Sequence, residues 1–184
     1  MSAGRLLATA GRRDYLLRPE PVVAQVGGVE QNLLGFNGVW PGHELRARQE
    51  DDLHIRVDNG LQDGVLVHWH GLRLPNRMDG VNVLTQDVIP PSGAFDYRFK
   101  VQDAGTFWYH SHYISFDQVS RGLFGPLIVE ELRPPDVDLD IPVMLFDMLV
   151  DHEGVFEEDH DPSRFSTAGR IGNFAMAIAG SGSV

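Results

Sequence analysis

Two tripeptides hold the residue types most able to do chemistry in this sequence: His68-Trp69-His70 and His110-Ser111-His112. Successive side chains on a β-strand point to opposite faces, so residues at i and i+2 share one face. A His-x-His on a strand therefore projects two imidazoles to one side, with Cα atoms roughly 6.5 Å apart from the strand rise. That separation is too wide for a hydrogen-bonded catalytic pair, but it suits two metal ions or one ion plus a bridging group. Four imidazoles without a thiolate suit zinc, copper, iron or nickel and make magnesium or calcium poor candidates. A single strand histidine is usually a satisfied surface or core residue. Two such tripeptides among eight histidines, each inside an aromatic-rich strand, point to a metal site instead. His54, on the polar face of an alternating strand, and His43, His152 and His160, in loop-like or acidic surroundings, are read as solvated.

Strands must position these imidazoles. In Val65-Leu66-Val67-His68-Trp69-His70 one face holds Val65, Val67 and Trp69, and the other Leu66, His68 and His70. The second stretch likewise puts Trp108, His110 and His112 on one face. Val22 to Val26 is predicted to be a first strand, stopped by Gly27-Gly28. Leu53, Ile55 and Val57 alternate as a second, and Asn59-Gly60 and Asp63-Gly64 turn the chain toward the first histidine strand. Phe95, Tyr97 and Phe99 predict an aromatic inner face, while Ser115 to Ser120 suits one or two helical turns. Leu127-Ile128-Val129 reads as a short buried strand and Pro142 to Val150 as a last apolar one. Many short strands separated by turn signals predict an all-β sandwich or barrel. Three regions are expected: an extended lead-in over 1–20, one domain over 21–150, and an acidic then Gly/Ser-rich tail over 151–184, read as a linker or a truncation point.

The chain has 184 residues, enough for one well-filled domain. Its formal charge of −11 argues against nucleic acid and anionic membrane surfaces, both of which need a basic patch. There is no stretch of 18 apolar residues to span a membrane. The absence of cysteine excludes disulfides, iron–sulfur clusters and a blue-copper centre, which needs a thiolate.

Gly35-Phe36-Asn37-Gly38, His68-Trp69-His70-Gly71, Met78-Asp79-Gly80, the run Asp103 to His112 and the run Arg121 to Val129 together resemble the first cupredoxin domain of multicopper oxidases, the laccase-like family. The resemblance implies a cupredoxin-like Greek-key fold and half of a trinuclear copper cluster that reduces dioxygen to water. By position it assigns His68 to the type 2 copper, His70 and His110 to one type 3 copper, and His112 to the other. Asp79 matches the acidic residue that assists proton delivery, although an Asp-Gly pair is also an ordinary turn. Trp69 and Trp108 are read as packing in the core and behind the ligands. The family's exported life implies a periplasmic or secreted protein, yet Arg12-Arg13 is followed by no apolar stretch, so an intact export signal is not expected here.

One departure matters. The family draws four more cluster histidines, and the cysteine ligand of its type 1 copper, from its last domain, and this chain has no counterpart. The expected partners are therefore the remaining cupredoxin domain or domains, or another copy of the chain, and the chain alone is expected to be inactive. The alternative is a metal-binding or assembly module completed by a partner chain or by self-association.

Overall fold

The computed structural model describes residues 10–157 and 172–179. Among the described residues eleven strands run in chain order: β1 (Arg12–Leu17), β2 (Pro19–Val26), β3 (Val29–Phe36), β4 (Leu45–Arg48), β5 (Asp52–Asp58), β6 (Val67–His70), β7 (Ala94–Lys100), β8 (Gly105–Ser111), β9 (Phe124–Glu130), β10 (Val143–Met148) and β11 (Phe174–Ala179). A 3-10 turn spans Asn76–Met78, and the short helix α1 spans Ser115–Gln118.

Two sheets face each other across the main core. One has the order β1-β5-β7 and the other β4-β9-β8-β6. The period-two alternation explains what each contributes. Leu53, Ile55, Val57, Tyr97 and Phe99 point inward from the first sheet, and Leu45, Val67, Trp69, Tyr109, Leu127 and Val129 from the second. Trp69 sits at the centre, fully buried, with its ring 5.2 Å from Tyr97 and 5.3 Å from Phe99. The buried Tyr97 hydroxyl accepts the Val67 N–H at 3.1 Å and so pins the start of the first histidine strand.

A second cluster joins the β2–β3 hairpin to the antiparallel pair β10–β11 through Val22, Val26, Leu33, Trp40, Met148 and Ile178. Gly27 and Gly28, with φ of 61° and 82°, form the two-residue turn of that hairpin, a conformation with positive φ at both positions.

The structure corrects the sequence expectation at both ends. Residues 12–17 are not a loose lead-in but a strand, β1, which pairs in parallel with β5. Its hydrophobic signal is weak because only Leu17 is buried; backbone pairing and polar contacts hold the rest. Strand β3 falls in a stretch for which the sequence predicts no strand. At the other end β11 lies inside the expected tail, its Phe174, Met176 and Ile178 packing on the second cluster. The stretch Gly180 to Ser183, read as a linker, lies outside the described residues.

His54 is a further correction. The sequence predicts a solvated ring, yet its two ring nitrogens contact Asp14 on β1 at 3.0 Å and Asp96 on β7 at 2.8 Å, tying three strands together. Asp96 is held below the usual carboxylate range chiefly by this contact. His43 and His152 are exposed as expected, and His160 lies outside the described residues.

Asp51 anchors β1 from the β4–β5 connection. Its carboxylate, almost fully buried, accepts N–H groups from Gly11 at 2.6 Å and Arg48 at 3.0 Å and pairs with the Arg13 guanidinium at 3.0 Å. Burial opposes its ionisation, but the two backbone donors and Arg13 outweigh that and hold it below the usual carboxylate range. A carboxyl whose folded pKa is depressed stabilises the fold above its unfolded pKa of about 3.9 and loses that contribution as pH falls through the lower folded value. We expect Asp51→Asn to cost about 2–3 kcal/mol of unfolding free energy at neutral pH, by the usual cost of losing charge-assisted bonds. In urea titrations the gap between parent and variant should hold from pH 7 to about 5 and close below about pH 4.

Candidate metal centre

The two histidine strands are neighbours. β6 pairs antiparallel with β8 in a register that sets His68 opposite His110 and His70 opposite Trp108. Directly opposed residues share a face with Cβ atoms about 4.5–5.5 Å apart. The i, i+2 rule and this register together bring the four imidazoles to one surface of the sheet. The ring centroid of His68 lies 5.5 Å from that of His70, 5.3 Å from His110 and 5.4 Å from His112.

Hydrogen bonds fix which nitrogen each ring offers. The Nδ1–H of His68 donates to the Asp79 carbonyl at 2.8 Å, and that of His110 donates to the Ser111 carbonyl at 2.8 Å. A carbonyl can only accept, so Nδ1 carries the proton in both rings and Nε2 keeps its lone pair. Such a bond to the non-ligating nitrogen is the usual way a metal-binding histidine is oriented. Burial pushes the His110 imidazole down to about 4, helped by His68, His70 and His112 and opposed by its bond to Ser111, so the ring is neutral at pH 7.

His70 turns its other nitrogen inward, with Nδ1 3.4 Å from Nε2 of His110. That is long for a hydrogen bond, whose usual length is about 2.9–3.0 Å. It matches two nitrogens on one ion, since bonds of about 2.0–2.1 Å at a tetrahedral angle put them about 3.3 Å apart. One ligand nitrogen from each of His68, His70 and His110 falls within 4.8 Å of the others. His112 stands outside that group of three but remains beside His68, and it is exposed.

Contacts behind the four imidazoles support them. The loop after β6 folds back so that Asp79 reaches His68 twice, through its carbonyl and through its carboxylate, whose Oδ1 lies 3.4 Å from the same Nδ1. Gly80 makes this approach possible. Its φ is +72°, and a Cβ there would collide with the Val67 carbonyl. Behind the second tripeptide, buried Ser111 donates its hydroxyl to Gln118 Oε1 on α1, and Gln118 Nε2 donates to the Gly64 carbonyl at 2.9 Å. Gln118 was invisible to sequence reasoning, because a glutamine on a short helix carries no signal of burial.

The family profile of the multicopper oxidases matches residues 20–134, well over half of the chain. The chain belongs to the multicopper oxidase family. Among curated relatives of this multicopper oxidase chain, a copper resistance protein A homologue from Pseudomonas syringae pv. tomato is 40% identical over 141 residues, covering 76% of this chain and 22% of the relative. An L-ascorbate oxidase from Nicotiana tabacum is 36% identical over 170 residues, covering 89% of this chain and 29% of the relative. A multi-copper oxidase structure from Pseudomonas thermotolerans superposes with a TM-score of 0.85 at 40% identity, over 92% of this chain and 42% of that one. These likenesses bear out the cupredoxin-like all-β fold. The chain spans less than a third of the curated relatives' length.

The Gln118 bridge sits directly under His110-Ser111-His112, so it joins the fold's stability to the geometry of the candidate metal centre. Gln118→Ala leaves the Ser111 hydroxyl and the Gly64 carbonyl without this partner, at an expected cost of about 2–3 kcal/mol. A fall of that size in the free energy of urea unfolding is the expected outcome; an unchanged midpoint would remove the bridge from the account.

Proposed function

We propose that this chain is the N-terminal copper-binding domain of a laccase-like multicopper oxidase and supplies half of the trinuclear cluster at which dioxygen is reduced to water. The observation that carries the reading is the 3.4 Å convergence of His70 Nδ1 and His110 Nε2, with the His68 nitrogen beside them. Neutral imidazoles hold copper in both oxidation states, which a redox site requires. When bound, copper supplies the one-electron steps.

On this reading His68, through Nε2, serves the type 2 copper, His70 and His110 serve one type 3 copper, and His112 serves the other. The chain's own groups prepare the site. Carbonyls of Asp79 and Ser111 hold the His68 and His110 rings with their lone pairs outward. The half-buried Asp79 carboxylate beside His68 is the group placed to hold and pass the protons that oxygen reduction consumes. The remaining ligands come from outside this chain. His70 and His112 are exposed, which suits a site completed across an interface by further cupredoxin domains. The exported life that the family resemblance implies favours a periplasmic or secreted setting.

Copper per chain, measured by elemental analysis after reconstitution, should reach about one for the 184-residue protein and fall sharply in His70→Ala and in His110→Ala. No bound copper in the parent would remove the half-site. The exposure of His70 and His112 also favours a second reading, in which two copies meet face to face and complete each other's site. That reading predicts a copper-dependent shift to a smaller elution volume in size-exclusion chromatography, and an unchanged volume at saturating copper would count against it.

A further inference from the structure

Trp108 was expected to be packing, and its surroundings say more. It lies two residues before His110 on β8, on the same face, and directly opposite His70 in the β6–β8 register. One indole therefore meets two imidazoles. Its ring lies 4.2 Å from that of His110 at 29° and 5.0 Å from that of His70 at 28°, both stacked. These are the two rings whose nitrogens converge at 3.4 Å.

Trp69 shows what a packing tryptophan on the same ladder looks like: it is fully buried among Tyr97, Phe99 and Tyr109. Trp108 differs. It is partly buried and borders an apolar cavity of about 580 Å³ shared with Phe116, Phe124 and Phe146. The two imidazoles are its stacked neighbours, and Pro126 on β9 is its cross-strand neighbour on the other side. The rings also need it unequally. Carbonyl bonds orient His68 and His110, whereas the contacts that orient the exposed His70 ring come from its aromatic neighbours.

We infer that Trp108 is a positioning residue of the metal centre, whose indole face holds His70 and His110 in the paired orientation that lets two of their nitrogens share one ion. The inference rests on the copper half-site proposed above. Offset-stacked aromatic pairs restrict ring rotation, so the stack removes rotamers of His70 that would turn Nδ1 away. A flat ring is required for this, and bulk alone does not supply it. Groups that orient metal ligands from behind typically change affinity by about 10–100-fold when removed.

The test compares Cu(II) binding by the 184-residue chain and by Trp108→Phe, Trp108→Leu and Trp108→Met, using competition with a chelator and electron paramagnetic resonance of the bound ion. Circular dichroism checks that each variant is folded. The Phe variant, which keeps a stacking ring, should stay within about threefold of the parent and retain its spectrum. The two aliphatic variants should bind about tenfold more weakly, with altered copper hyperfine splitting. A folded Leu or Met variant with the parent's affinity and spectrum overturns the inference and leaves the half-site standing. Loss of the fold in both aliphatic variants also overturns it, because Trp108 would then be a core residue. If the parent binds no copper, the half-site fails first and this inference falls with it.

Discussion

The candidate metal centre depends on one constraint, the register of the β6–β8 ladder. Four residues of β6 face four of β8, with His68 opposite His110. Because side chains alternate with a period of two, a slip by one residue would turn one histidine pair into the core and bring Trp69 to the surface. The core forbids that slip. Trp69, Val67 and Tyr109 are fully buried on the opposite face of the same two strands, and Tyr97 bonds to the Val67 N–H. The hydrophobic core thus sets the chemistry at one remove, by making one register far better than its neighbours.

Register places Cα atoms but does not orient rings, and a second layer of contacts does that work. Backbone carbonyls of Asp79 and Ser111 choose the tautomers of His68 and His110. Loop closure at Gly80 and the Ser111–Gln118–Gly64 chain of bonds hold those carbonyls in turn. Each support is buried or half-buried, where an unpaired polar group is costly, so the supports resist rearrangement. The protein's own contacts therefore orient the candidate ligands.

The parts of this arrangement that were readable from the sequence are those written as periodic patterns. The two His-x-His faces, the aromatic interior of β7 and the inward Leu53, Ile55 and Val57 all follow from alternation, and all occur as expected. Elements stabilised by polar pairing were not readable. Strand β1 buries only Leu17 and is held by β5, Asp51 and the contact of Asp14 with His54. Strand β11 was masked by its acidic and Gly/Ser-rich flanks, although Phe174, Met176 and Ile178 do alternate. The pairing of β6 with β8, rather than with some other strand, is a long-range fact that no local pattern encodes. The support from Gln118 is of the same kind, since its partners lie 7 and 54 residues away.

The four histidines are unequal, and the inequality bears on how the proposed cluster is assembled. His110 is buried, singly protonated at Nδ1 and depressed in pKa, so the fold has already met the cost of desolvating it. His70 and His112 are exposed, and the cost of drying their surroundings has still to be met. A site with one dry wall and one wet wall binds an ion less tightly than a closed one, because water competes for the open coordination positions. On the proposed reading, docking of the missing ligands excludes that water and completes the coordination in the same step. Copper retention and domain assembly are then coupled, each favouring the other by the same free energy.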